Sequence, residues 1–311
     1  MRDIDNKGFS LVELMVVMGM LAVIMASVYA LYRTHQRTAY TQEDVVEVQQ
    51  NLRIAMDSIT RDVRMSGFLI PFGMNPIAGV FNNVGPLNSD ILTLNMASAS
   101  GKYARVTASV TGISTPLIVD SPDDVDVFTA GDYVRIIRPQ NRVEPTGGTV
   151  FKVMGSPDTD RSVPQIGLQY VTGADPGAIM FNVGDIISAT TSSPGFDHPN
   201  TVMYCLGPAD AVAGVSPECG SAVTNCPTDT AQAKCLMRVE NGTASVIATN
   251  ITSLQFRYLQ DSGTEFDVPA DFNLVRDVRV AIEGQTVATT ALSDNIPKVR
   301  GNTSVIKIRN R

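Results

Sequence analysis

One carboxylate and four thiols are the side chains whose surroundings call for chemistry in this sequence. Glu13 is the single charged residue in the run FSLVELMVVMGMLAVIMASVYALY from Phe9 to Tyr32. A carboxylate costs about 2.5–3.5 kcal/mol at the centre of a membrane helix and less near its end. Glu13 therefore either meets a cationic partner or snorkels to the membrane surface. The thiols are Cys205, Cys219, Cys226 and Cys235, spaced C-x13-C-x6-C-x8-C within 31 residues. Such clustering reads as two disulfides closing a loop-rich excursion over residues 205–235, with three connectivities open. Zinc is the competing reading, and the absence of a C-x-x-C pair weighs against it.

Other catalytic arrangements have little to be built from. The only histidines are His35 and His198, too few for a histidine metal centre and unpromising for a Ser-His-Asp triad. The acidic run Asp120–Asp126 lacks the glycine and glutamate positions of an EF-hand loop and reads as a solvated turn. No Walker loop, H-E-x-x-H, G-x-S-x-G or dinucleotide fingerprint stands in a suitable context. The reading is a protein that is not an enzyme and takes no cofactor. A formal charge of -7 and a pI near 4.9 argue against a broad nucleic-acid-binding face, so no nucleic acid is expected among the partners.

The elements that must carry these groups follow from hydropathy and periodicity. Residues 9–32 reach roughly 36 Å as a helix, enough for a hydrocarbon core of about 30 Å, so membrane lipid is expected around them. A cleaved secretory signal has a shorter apolar stretch followed by a small-residue cleavage site. Arg2 and Lys7 balance Asp3 and Asp5 before the span, and Arg33 and Arg37 follow it, so flanking charge does not orient the helix. Beyond it Val45, Val48, Leu52, Ala55, Ile59 and Val63 recur at helical steps. Glu43, Asp44, Glu47, Arg53, Asp57 and Arg61 are assigned to the opposite face, with Asp57 and Arg61 at i,i+4. An independent coiled coil over 41–66 is marginal at under four heptads. No proline interrupts residues 9–66, and Gly67 is a suitable stop. One helix of about 58 residues, roughly 87 Å long, is predicted. Its halves are a membrane half (9–32) and an amphipathic half (33–67).

Residues 68–311 read as a β-rich head. Short runs rich in β-branched residues occupy Asp90–Leu94, Val106–Val110, Tyr133–Ile137, Ile186–Ala189, Thr201–Tyr204, Ser253–Leu259, Val275–Ile282 and Ser304–Ile308. Turn residues bound them, which predicts an antiparallel sheet. Two runs open after Gly-Asp, at AGDYVRII from Ala130 and VGDIISAT from Val183. These pairs read as turns, with a duplicated β unit inside an insertion over 115–200 as the alternative.

The segment Lys7-Gly8-Phe9-Ser10-Leu11-Val12-Glu13 resembles the class III signal of type IV prepilins and type II secretion pseudopilins. The resemblance implies a leader of residues 1–8 cut after Gly8 by prepilin peptidase and an N-methylated terminus at Phe9. It also implies that Glu13 pairs with the terminal amine of a neighbouring subunit. The implied fold is α+β, a pilin-like lollipop whose long N-terminal helix packs on an antiparallel sheet head with a β-rich insertion. QQNLRIAMDSITRDVRMSGF (49–68), ITSLQFRYLQDSG (251–263) and the terminal VIKIRNR resemble the PilW minor pilins and the related PulJ/GspJ minor pseudopilins. The resemblance touches both ends of the chain and part of the head. It implies a minor pilin that primes pilus assembly near the tip. The implied partners are other minor pilins, the major pilin, prepilin peptidase, the inner-membrane assembly platform and a tip adhesin. The implied location is the inner membrane, with leader cytoplasmic and head periplasmic, and then the pilus. Many major pilins have proline where this chain has Ala30, so helix melting at that point is not expected here. The alternatives are a secretion pseudopilin and, from another class, a membrane-anchored periplasmic enzyme or binding module.

Overall fold

A computed structural model describes residues 10–70, 74–96, 102–139, 150–154, 163–171, 179–190, 200–207, 226, 233–240, 243–286 and 297–309. The chain opens with α1 (Leu11–Met65), a single unbroken helix of 55 residues that passes straight through Ala30. It ends at Gly67, whose φ of 77° is the left-handed conformation that stops helices and that glycine adopts at no steric cost. The next side chain, Phe68, meets the ring of Tyr103 edge-on at 6.1 Å between centroids.

Thereafter come β1 (Ile77–Phe81), β2 (Ile91–Met96), β3 (Tyr103–Arg105), β4 (Val110–Thr111), β5 (Leu117–Ile118) and α2 (Pro122–Asp126). They are followed by β6 (Tyr133–Ile137), β7 (Phe151–Val153), β8 (Gln165–Ile166), β9 (Leu168–Tyr170), β10 (Met180–Phe181) and β11 (Ile186–Thr190). The chain closes with β12 (Asn200–Gly207), β13 (Lys234–Glu240), β14 (Thr243–Gln260), β15 (Glu265–Phe266), β16 (Val275–Gln285) and β17 (Val299–Lys307). The long helix and antiparallel sheets make an α+β, pilin-like fold.

The main sheet runs β1-β2-β12-β13-β14-β16-β17, with β15 attached to β14. One face of α1 lies across β14, β16 and β17. Val48, Leu52, Ala55, Ile59 and Val63 are buried there against Leu254, Phe256, Val280, Ile282 and Ile306. The contact is close at Gly284, where an added Cβ would lie 3.0 Å from the Asn250 carbonyl oxygen and 3.2 Å from Val48 Cγ1. A helix rests there directly on backbone, which a side chain at Gly284 would crowd.

Within the main sheet β2 and β12 are paired neighbours, yet residues 97–199 separate them in the chain. A second sheet, β3-β11-β6-β7-β9, forms within that interval together with the pairs β10-β4 and β5-β8. It has its own core, in which Val134, Ile136, Phe151, Phe181 and Ile187 are fully buried. Tyr103 already belongs to this sheet, twelve residues before the insertion boundary expected at 115.

Both Gly-Asp pairs are turns of the same design. Gly131 and Gly184 have φ of 98° and 94°. In each the Asp N–H donates to the carbonyl three residues earlier, Thr129 or Asn182, at 3.0 Å. The Asp carboxylate in turn accepts the N–H of that same residue at 2.9 Å. The two strands that follow, β6 and β11, pair antiparallel.

Several strand expectations need correction. Val106–Val110 is not one strand, because β3 ends at Arg105 and Val106 makes only an isolated bridge to Val119. The Thr107 N–H goes to the Ile118 carbonyl, and β4 then pairs with β10 instead. β14 is far longer than Ser253–Leu259, since its first half pairs with β13 and its second half with β16. The acidic run is a helical turn, α2, capped by the Ser121 hydroxyl accepting the Asp124 N–H.

Candidate functional site: the N-terminal helix and its grip on the head

Glu13 stands in the first turn of α1 and is exposed, where a negative charge faces the positive end of the helix dipole. Around it every residue from Leu11 to Tyr32 is exposed, including Leu14, Val16, Leu21, Ile24 and Leu31. The apolar window there has a mean hydropathy of 2.4 and none of it is buried within the chain. Length and composition suit a membrane crossing. The Ser27 hydroxyl donates to the Val23 carbonyl at 2.9 Å, so its polar hydrogen is satisfied inside the helix. Gly8 and Phe9 lie outside the described residues.

The head end of the same helix is held by a buried polar cluster. Tyr204 of β12, fully buried, donates its hydroxyl to Asp62 Oδ2 at 2.7 Å. Arg238 of β13 donates from Nε to the same Oδ2 at 2.6 Å, and its other arm reaches Glu240 at 2.7 Å. Ser58, one turn before Asp62, lies 2.9 Å from the Tyr204 hydroxyl. Burial first, and then the Asp62 charge, pushes the Tyr204 phenol well above its usual range, so it serves as a neutral donor. Desolvation works against the Arg238 guanidinium, but its bonds to Asp62 and Glu240 outweigh that and keep it charged. The cluster joins α1 to two central strands through charge-assisted bonds that require one register and one rotation of the helix.

No sequence pattern singled out this cluster, and farther down the helix one acidic residue lies on a different face from the one expected. Asp44, assigned to the solvent face, is buried with 7% of its surface exposed. The Asp57–Arg61 pair does not form, and Arg61 instead approaches Asp62 at 3.7 Å. A signal was present, because Ala55, Ile59 and Asp62 follow helical steps of four and three along the apolar face. What no sequence pattern supplied was the cation, which comes from a strand 176 residues away.

Cys226 and Cys235 are joined in a disulfide with Cα atoms 5.8 Å apart. Cys205 is also disulfide-bonded, and Cys219 lies outside the described residues. Cys205 and Cys235 are both fully buried, on the adjacent strands β12 and β13. They belong to a small cluster with Ile91, Met203 and Met237 on the sheet face away from α1. Cys205 and Cys235 thus sit in the sheet itself, while Cys226 belongs to no strand.

Against known families, the model described as the prokaryotic N-terminal methylation motif matches residues 5–29. Among curated proteins the chain has no significant match. The motif indicates a prokaryotic prepilin-like N-terminus, of the kind found in type IV pilins and pseudopilins. Together with the apolar helix it fits a structural, inner-membrane-anchored protein that assembles with other pilins after action of the prepilin peptidase.

Proposed function

We propose that the protein is a minor pilin of the PilW type, which primes type IV pilus assembly and takes a place near the pilus tip. The observation that carries this reading is the prepilin motif on a helix whose first thirty residues have almost no partner within their own chain. Apolar surface left open all round a helix must be covered by lipid or by other subunits. A pilin exchanges the first cover for the second.

In this reading prepilin peptidase removes residues 1–8 after Gly8, and Phe9 becomes the methylated terminus. Glu13 then pairs with the terminal ammonium of a neighbouring Phe9, which removes the cost of an unpaired carboxylate among apolar helices. The head stays periplasmic until the subunit leaves the inner membrane for the pilus. Other minor pilins, the major pilin, the assembly platform and a tip adhesin are its partners. The head, with its second β unit, is too bulky to tile easily as the main subunit.

Deletion of the gene and measurement of sheared surface pili tests the placement. Loss of pili, restored by the wild-type gene, is expected; unchanged pili would redirect the reading to a secretion pseudopilus. Mass spectrometry of the mature protein tests the processing, since a chain starting at methylated Phe9 is expected and an uncleaved Met1 would overturn it. Complementation with Glu13→Ala is expected to give normal membrane insertion and poor incorporation into filaments.

A further inference from the structure

Where the apolar run of α1 gives way to the head, the helix and the last strand enclose a cationic groove. It has a volume of about 750 Å³ and is lined by Thr34, Arg37, Thr38 and Thr41 of α1, by Lys298 just before β17 and by Arg300 near the start of β17, where that strand pairs with β16. Three of its lining side chains are cations and none is a carboxylate. Among the described residues, no ion pair engages Arg37, Lys298 or Arg300. This local sign opposes the formal charge of -7 on the whole chain.

The height of the groove along the helix matters as much as its charge. Arg37 stands five residues beyond Tyr32, about 7.5 Å along the axis at 1.5 Å per residue. The polar layer on each side of a bilayer is about 5–8 Å deep, from the difference between a 30 Å core and a 40–45 Å total. With residues 11–32 in the hydrocarbon, the base of the groove lies among the headgroups. The Thr34, Thr38 and Thr41 hydroxyls each donate to the carbonyl four residues earlier, at 2.9–3.0 Å. They are therefore acceptors toward a ligand, while Arg37, Lys298 and Arg300 are its donors.

We propose that the groove holds the phosphate of an anionic glycerophospholipid from the leaflet beneath the head. Phosphate oxygens would meet the three cations, and headgroup hydroxyls would meet the threonine oxygens. The bound lipid sets the rotation of the head above the membrane, and it must be released when the subunit moves into a filament. The inference rests on the membrane-anchored pilin reading.

Full-length protein in detergent, analysed by native mass spectrometry with phosphatidylglycerol or phosphatidylcholine of equal chain length, tests this. Retention of phosphatidylglycerol should exceed that of phosphatidylcholine by about fivefold or more, and Lys298→Gln with Arg300→Gln should abolish the difference. Arg33→Gln removes a nearby charge that does not line the groove and should leave the preference in place. Equal retention of the two lipids, or an equal loss in Arg33→Gln, would overturn the site. Inorganic phosphate is titrated alongside, and tight binding of phosphate with no lipid preference would overturn the lipid assignment. If the double variant misfolds by circular dichroism, Arg37→Gln on the exposed helix surface replaces it, with the same expected loss. These variants leave Gly8, Phe9 and Glu13 intact, so normal processing and piliation alongside lost lipid preference separates this inference from the pilin reading.

Discussion

From Leu11 to Ala39 every residue of α1 is exposed except Gln36, which is half-buried, whereas from Asp44 to Val63 the same helix sets nine residues into the head. Both stretches carry ample apolar surface and neither contains a proline or a break. The difference lies in what faces them. The second stretch finds β14, β16 and β17 in its own chain, and so contributes to the stability of a monomer. The first has almost no partner in its own chain among the described residues, so its apolar side chains add little to the stability of the head. Even the carboxylates divide this way, since Asp62 has its cation within the head and Glu13 has none among the described residues.

Breaking each half should therefore give opposite outcomes. Asp62→Ala leaves the fully buried Tyr204 hydroxyl and the half-buried Arg238 each with one partner fewer and should cost the head about 3–5 kcal/mol in denaturant unfolding. Glu13→Ala should leave the unfolding midpoint unchanged; a comparable loss in both variants would abolish the distinction. Truncation of a matched apolar pair sharpens it further. Ile59→Ala, at a position with 0% exposure, should cost about 2–5 kcal/mol, while Ile24→Ala at 58% exposure should cost the head nothing measurable. A smaller effect is expected where helix meets backbone. Gly284→Ala must push Val48 or the Asn250 carbonyl aside, an overpacking cost of about 1–3 kcal/mol, read as a lower thermal midpoint.

The smallest expected effect concerns a carboxylate without a cationic clamp. Asp90 accepts the N–H groups of Asn83 and Phe256 at 2.8 and 2.7 Å, on the edge of β14 beyond the end of β13. Burial raises its pKa, and those two bonds offset the rise only in part. A folded pKa above the unfolded value means that its contribution is fully present below the ordinary aspartate pKa of about 3.9. That contribution is lost as pH rises through the raised folded value. Relative to Asp90→Asn, the wild type should thus lose stability on going from pH 4 upward, as read by unfolding across that range. A constant difference between the two would show that Asp90 titrates normally.

Much of this architecture is legible in the sequence. The long helix, its stop at Gly67, the β-rich head and the strand Tyr133–Ile137 all follow from periodicity and turn residues. β13 was hidden because it begins beside Cys235, inside a span read as a loop. A hairpin signal lay next to it, for Glu240 pairs with Thr243 and the intervening residues are Asn-Gly. The short strands β5, β8 and β10 have two residues each, too few for a period-two pattern to register.

By itself the sequence determined the parts whose causes are local. Uninterrupted helix formers, a run of apolar residues with one carboxylate, and the Gly-Phe junction before it need no distant partner to be recognised. Only the tertiary structure decided which polar residues of α1 are buried and what satisfies them. It also decided which strand lies beside which, and which cations gather at the foot of the head. Asp62 meets Arg238, and Arg37 stands across a groove from Arg300, because sheet order folds residues hundreds of positions apart onto one helix. Such pairings depend on long-range packing, for which a linear pattern carries no period.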